Sequence, residues 1–199
     1  MTQLILASTS SARRMMLKQA GVDCDAIAPT VDEESIKQNL LNHKLNARDI
    51  ADALAEAKAV KLSSKFPQAF VIGADQTLEC ADGSMLDKPE SQEDAIAQLM
   101  QMAGSTHKLY SAVVVAERGA PVWRFVATSR MTVRPLSDAF IADYVDTHWD
   151  AIQHCVGCYQ IEGVGAQLFS QIQGSHFDIM GLPLLPLLSF LRERGILAI

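Results

Sequence analysis

The run Phe70-Val71-Ile72-Gly73-Ala74 constrains the fold of this chain most. Five residues without a polar interruption mark a strand buried on both faces, not one half-open to water. A strand of that kind needs cover on two sides, and helical patterns flank it. Residues 46 to 64 place Ile50, Leu54 and Ala57 on one stripe behind Asn46 as a cap. After Ser91, a second helix is expected to turn Ile96, Leu99, Met100 and Ala103 inward and to end at Gly104. A buried strand between helices predicts the α/β class.

The remaining pattern fits that class. Leu4 to Ala7 is a short apolar strand candidate running into Ser8-Thr9-Ser10-Ser11, then a helix from Arg13 to Ala20 closed by Gly21. Cys24 to Pro29 predicts a second short strand, followed by the acidic run Asp32-Glu33-Glu34. From His107 the pattern changes to strands: Leu109 to Ala116 and Val122 to Val133, with Glu117-Arg118-Gly119-Ala120 as the hairpin loop. Ser137 is expected to cap a helix carrying Phe140, Ile141 and Tyr144. A Gly-rich segment, Gly157 to Gly165, leads to a strand expected at Ala166 to Phe169, and a last helix runs from Leu182-Pro183 to Gly195. There is no internal repeat, low-complexity tract or clear linker, so residues 1–199 are expected to form one domain with two lobes.

Composition narrows the ligand. Apolar residues make up 49% and charged residues 20%, a globular balance, and the formal net charge is −6. A net-negative surface repels nucleic acid polymers and anionic lipid, so a phosphate ligand has to be caught by a local basic site. That favours a small phosphorylated substrate. Met1 to Ser11 lacks a basic n-region, and the apolar segment Ile179 to Leu191 is interrupted by Pro183 and Pro186. Neither a secretory leader nor a membrane span is expected, and the location expected is the cytoplasm. In that reducing compartment Cys24, Cys80, Cys155 and Cys158 are expected as free thiols, Cys155-x-x-Cys158 having no second ligand pair to make a zinc site.

Three groups of residues can carry chemistry. Ser8-x-Ser10-x-x-Arg13-Arg14 puts hydroxyls, backbone N–H groups and guanidinium at a helix start, where cations oppose the macrodipole unless an anion is bound. The alternative is a capped surface helix with exposed arginines. Asp75, following the buried strand, is placed to deprotonate or orient water or to hold Mg²⁺, against the alternative of a turn carboxylate. Glu33, Lys58 and Lys88 stand at element boundaries, Lys88 held extended by Pro89, and can act on phosphate and metal or be solvated surface charges.

Along nearly its whole length the sequence resembles the Maf family. The matching stretches are Leu6-Ala7-Ser8-Thr9-Ser10 with Arg13, Val31-Asp32-Glu33, Glu56-Ala57-Lys58-Ala59, Gly73-Ala74-Asp75, Asp87-Lys88-Pro89, Gly104-Ser105-Thr106-His107, Gly157 to Gly163, and Gly181-Leu182-Pro183-Leu184. The resemblance implies a long, twisted mixed sheet flanked by helices, with two lobes and a central cleft (Maf / ITPase-like), and often a homodimer. It implies hydrolysis of a nucleoside triphosphate to a monophosphate and pyrophosphate with a divalent metal, Mg²⁺ or Mn²⁺. Asp75 matches the general base; Lys58 and Lys88, with Ser8, Ser10 and Arg13, match phosphate-handling positions; Glu33 matches a carboxylate for metal or water, with Asp75 as its metal partner.

Base preference is read from three further positions. Gln76, Cys155 and Glu162 resemble the family branch that takes 7-methyl-GTP, and a Glu suits a cationic N7-methylated guanine, whose charge it pairs and whose N1–H and N2–H it accepts. Ala12 and the segment Ser175 to Met180 depart from that branch. Phe177 or Tyr159 is a candidate to stack on the base, or else core. The alternatives are a dTTP/UTP pyrophosphatase, a nucleotide sensor without turnover, and a non-catalytic regulator of septum formation that acts through a protein partner.

Overall fold

A computed structural model describes residues 3–198. Met1, Thr2 and Ile199, at the ends of the expected 1–199 domain, lie outside them. In chain order the elements are β1 (Gln3–Ala7), α1 (Ser11–Gln19), β2 (Asp25–Ala26), α2 (Glu33–Asn42), α3 (Ala47–Ser63), β3 (Ala69–Glu79), β4 (Met85–Leu86), α4 (Gln92–Met102), β5 (Thr106–Glu117), β6 (Ala120–Val133), α5 (Asp138–Ile152), β7 (Phe169–Gln173), α6 (His176–Ile179) and α7 (Leu184–Glu193). Among the described residues the strands form one mixed, seven-stranded sheet in the order β2-β1-β3-β5-β6-β7, with β4 paired to β3.

Caps explain most helix starts. Ser10, Asp32, Asn46, Ser91 and Ser137 each accept a backbone N–H from the residue three positions on, satisfying a donor the helix itself leaves orphaned. The β5–β6 hairpin turns on Arg118 and Gly119, at φ 54° and 78°, the positive pair that a two-residue turn matched to strand twist requires.

The chain gathers into two compact units. The first holds the chain up to Gln76, Ser111–Ala127 and the chain from Gly181 on. Here β1 lies parallel to β3 from Gln3↔Ala69 to Ala7↔Gly73. Because side chains alternate, Ile5, Ala7, Ala69 and Val71 share one face, and with Leu62 of α3 they form a buried cluster. Gly73 is next on that face. A Cβ there would stand 2.1 Å from the Ala55 carbonyl oxygen and 2.7 Å from the Ala59 nitrogen. Only glycine lets α3 lie this close to the strand.

The second unit holds Thr77–Tyr110 and Thr128–Met180. Its core joins Leu78, Leu99, Met102, Leu109, Met131, Ile141, Tyr144 and Tyr159 among others. Burial of a side chain such as Leu99 stabilises the fold by about 1.5–3 kcal/mol.

Four expectations need correction. The buried strand does not end at Ala74: β3 runs to Glu79 and carries Asp75 in its middle. In α4 the inward stripe is Ala95, Gln98, Leu99 and Met102, while Met100 is exposed, since a helix stripe i, i+3, i+4, i+7 drawn from Ala95 misses position 100. The strand expected at Ala166 to Phe169 is a 3-10 turn over Val164–Leu168, and β7 begins where it was expected to end. Only Asp25–Ala26 of the Cys24 to Pro29 segment pairs as strand.

Candidate active site

Asp75 stands on β3 two positions past Gly73, the residue paired with the last position of β1. Its parallel neighbour has therefore ended, so the strand keeps going while the space beside it opens. Alternation puts Asp75 on the face covered by α3, and the close approach at Gly73 brings Lys58 down onto it. Lys58 Nζ donates to Asp75 Oδ1 at 2.7 Å and lies 2.7 Å from Glu33 Oε2. Both Lys58 and Asp75 are buried, whereas the Glu33 side chain is half exposed. Glu33 reaches the lysine from the first turn of α2, whose start is fixed by the Asp32 cap.

The electrostatics follow from burial. Removal from water pushes the Asp75 carboxyl up from its ordinary range, and the charges of Lys58 and Arg13 pull it back. Burial lowers the Arg13 guanidinium, opposed by Asp75 and Glu33. Arg13 is pinned at three points: Nε donates to the Gly181 carbonyl at 2.8 Å, and Nη1 to the Ala74 carbonyl at 2.9 Å and to Ser8 Oγ at 3.4 Å. Ser8 Oγ also accepts from the Ser10 backbone N–H at 3.2 Å, and Ser10 Oγ caps α1 through the Arg13 N–H at 3.3 Å. The serines and arginine thus form one hydrogen-bonded unit at a helix N-terminus, a shape suited to phosphate oxygens. On the sheet face opposite Asp75, Gln76 Nε2 donates to Ser111 Oγ at 2.8 Å.

Among the described residues no three His, Cys, Asp or Glu gather as a preformed metal cage. A pair of carboxylates, Glu33 and Asp75, meeting on one ammonium does fit Mg²⁺, which takes one or two carboxylates and completes its shell with substrate phosphate and water.

Nine positions were predicted to act. The structure brings Ser8, Ser10, Arg13, Glu33, Lys58, Asp75 and, one residue on, Gln76 together in the first unit. Lys88 and Glu162 lie in the second, both exposed. Lys88 lines a groove of roughly 390 Å³ with Leu86, Asp94 and Gln98 among others. The charges of Lys88 and Glu162 both bear on the half-exposed thiol of Cys155, which burial raises. Cys158 is buried and its thiol is pushed up to about 12, so it stays protonated, and all four cysteines are free. Sequence reasoning missed the Gly181 carbonyl, which gives no side-chain signal, and Ser111, whose partner lies 35 residues away. It also missed helix α2, although Asp32 with two acids behind it was a legible start.

A family model described as Maf-like protein matches residues 3–194. The chain belongs to the Maf-like protein family. This Maf-like chain is 53% identical over 193 residues to a protein of Sphingopyxis alaskensis named nucleoside triphosphate pyrophosphatase, covering 97% of this chain and 98% of that one. A protein of the same name from Caulobacter vibrioides is 51% identical over 199 residues, covering 100% and 99%. Among solved structures, a HAM1 protein from Coxiella burnetii matches with a TM-score of 0.53 at 14% identity, over 97% of this chain and 100% of that one. The last likeness concerns the fold alone and agrees with the mixed α/β sheet. No helix among the described residues is long and apolar enough to cross a membrane.

Proposed function

We propose that this Maf-like chain is a nucleoside triphosphate pyrophosphatase that releases pyrophosphate from the triphosphate and leaves the monophosphate, with 7-methyl-GTP as its preferred substrate. The observation that carries the proposal is the contact of buried Lys58 with two carboxylates, Asp75 and Glu33, beside a pinned Arg13. The names of relatives about half identical to the chain support the same chemistry.

Asp75 takes the proton of a water whose oxygen attacks the α-phosphorus. The bond from that phosphorus to the bridging oxygen breaks, and the pyrophosphate leaves with the bond's electron pair. Lys58 holds Asp75 ionised and oriented, so the carboxylate accepts a proton without having to turn. Arg13, Ser8 and Ser10 donate to phosphate oxygens and stabilise the charge that moves onto the leaving group, and Lys88 adds a cation to the same task. When bound by Glu33 and Asp75, a divalent ion, Mg²⁺ or Mn²⁺, neutralises the triphosphate and steers its geometry. Glu162 pairs with the cationic base and Gln76 contributes to its recognition. The cytoplasmic location expected from the sequence pattern and the homodimer implied by the resemblance belong to the same proposal.

The test is a panel of 7-methyl-GTP, GTP, dTTP, UTP, CTP and ITP with Mg²⁺, each assayed for pyrophosphate and for monophosphate. The expected outcome is pyrophosphate from 7-methyl-GTP with a kcat/KM at least about tenfold above GTP, the range one charged contact supplies. A preference for dTTP or UTP removes the assignment of the base, and folded protein that turns over none of them removes the activity.

A further inference from the structure

The segment ending in His107 has no role in the chemistry above, and the Gly-rich loop enters it only through Glu162. Within the second unit they meet. His107, fully buried on β5, shares a hydrogen bond of 2.8 Å between its Nε2 and the hydroxyl of Tyr159. Both rings touch Phe169, which meets Tyr159 edge-on at 4.8 Å between centroids. Burial pulls His107 down to about 4, so the ring is neutral at physiological pH, and among the described residues its Nδ1 has no partner. The bond to the Tyr159 hydroxyl is therefore the hydrogen bond that fixes the His107 ring among the described residues.

The loop is wound tightly on Tyr159. A Cβ at Gly157 would stand 2.7 Å from Tyr159 Cε1, and one at Gly165 would stand 2.9 Å from Tyr159 Cβ and 2.6 Å from the Gln160 carbonyl oxygen. Gly157 and Cys158 are both left-handed, at φ 78° and 60°, and turn the tyrosine inward. For Cys158 that conformation is strained, and it is held by Tyr144 Oη donating to its carbonyl at 3.1 Å and by its own Sγ donating to Gln98 Oε1 at 3.4 Å. Directly after Tyr159, Gly163 N–H donates to the Gln160 carbonyl at 3.2 Å, closing a turn with exposed Glu162 inside it. Tyr159 is therefore core and not a platform for a base.

We infer that His107 and Tyr159 are positioning residues for nucleotide selection: their buried hydrogen bond anchors the loop that presents the Glu162 carboxylate to the base. The inference rests on the assignment of Glu162 to base recognition. It gives the Gly104-to-His107 segment a task, and it explains why a loop with three glycines, Gly157, Gly163 and Gly165, holds one shape.

The test measures kcat and KM for 7-methyl-GTP and GTP with the wild type, Tyr159→Phe, Glu162→Ala and the double variant. Tyr159→Phe is expected to raise KM for 7-methyl-GTP by about 2- to 10-fold, the loss of one hydrogen bond, with kcat held within about twofold. In the Glu162→Ala background the same substitution is expected to change neither value, because the tyrosine acts through the glutamate. Equal losses of kcat for both nucleotides, or equal shifts in KM with and without Glu162, overturn the inference. Should Tyr159→Phe fail to fold, His107→Gln carries the same comparison. A wild type without turnover removes the proposed function itself. A wild type that turns over but is blind to Glu162→Ala removes the assignment of Glu162, and the inference with it.

Discussion

Lys58 is the residue on which the site depends. A buried lysine on a helix stripe otherwise made of Ile50, Ala51, Leu54, Ala55, Ala59 and Leu62 has to be paired, and it is paired twice. Lys58→Met would leave Asp75 buried without its hydrogen-bond donor and facing Glu33, whose charge also disfavours ionisation. The Asp75 carboxyl then rises further, so the ionised form that accepts a proton exists only at higher pH. The acid limb of kcat/KM is expected to move to higher pH, and the rate to fall about 100-fold near neutrality. The linkage has the same sign. A carboxyl raised by folding adds stability below its unfolded pKa and loses it as pH rises through the folded value. Urea unfolding of the variant should therefore show a larger deficit from wild type at neutral than at acid pH. An unmoved acid limb in the variant would mean that Lys58 does not set the ionisation of Asp75.

At the scale of elements, α3 is the lever that sets the site, and Gly73 is its fulcrum. Gly73→Ala would drive a methyl group into helix backbone at Ala55 and Ala59, atoms that give way only if the helix moves. The expected loss is about 1–3 kcal/mol or more in urea unfolding, with activity falling further than stability explains, because Lys58 travels with the helix. A variant with unchanged midpoint and rate would refute this packing account. Helices were the legible part of the sequence: Ser10, Asn46, Ser91 and Ser137 stand where a cap should, and each caps. Strand ends were less legible. Periodicity alone does not separate Ala74 from Asp75, since the polar residue continues a strand whose neighbour has stopped. Helix α2 went unrecognised because Ile36 and Leu40 are a thin stripe on an otherwise polar segment.

At the scale of the whole molecule, the α/β class was readable from one apolar run and its flanking helical stripes, because a strand buried on both faces admits few other arrangements. The site was readable as residue types and not as geometry. Arg13 and Asp75 are 62 positions apart, and no local pattern places the Ala74 and Gly181 carbonyls around one guanidinium. Glu33, Lys58 and Lys88 each looked like ordinary surface charge; only the burial of Lys58 between two carboxylates separates it from the others. The account turns on Asp75 as the base for water. The most direct measurement is pyrophosphate release by Asp75→Asn against wild type, at saturating Mg²⁺ and on the best nucleotide of the panel, with both proteins shown folded by their unfolding midpoints. The rate is expected to fall by about 10²- to 10⁴-fold, the share a positioned base supplies, with the product ratio in any residual turnover unchanged. A folded Asp75→Asn protein that releases pyrophosphate within a few-fold of wild type would contradict the account.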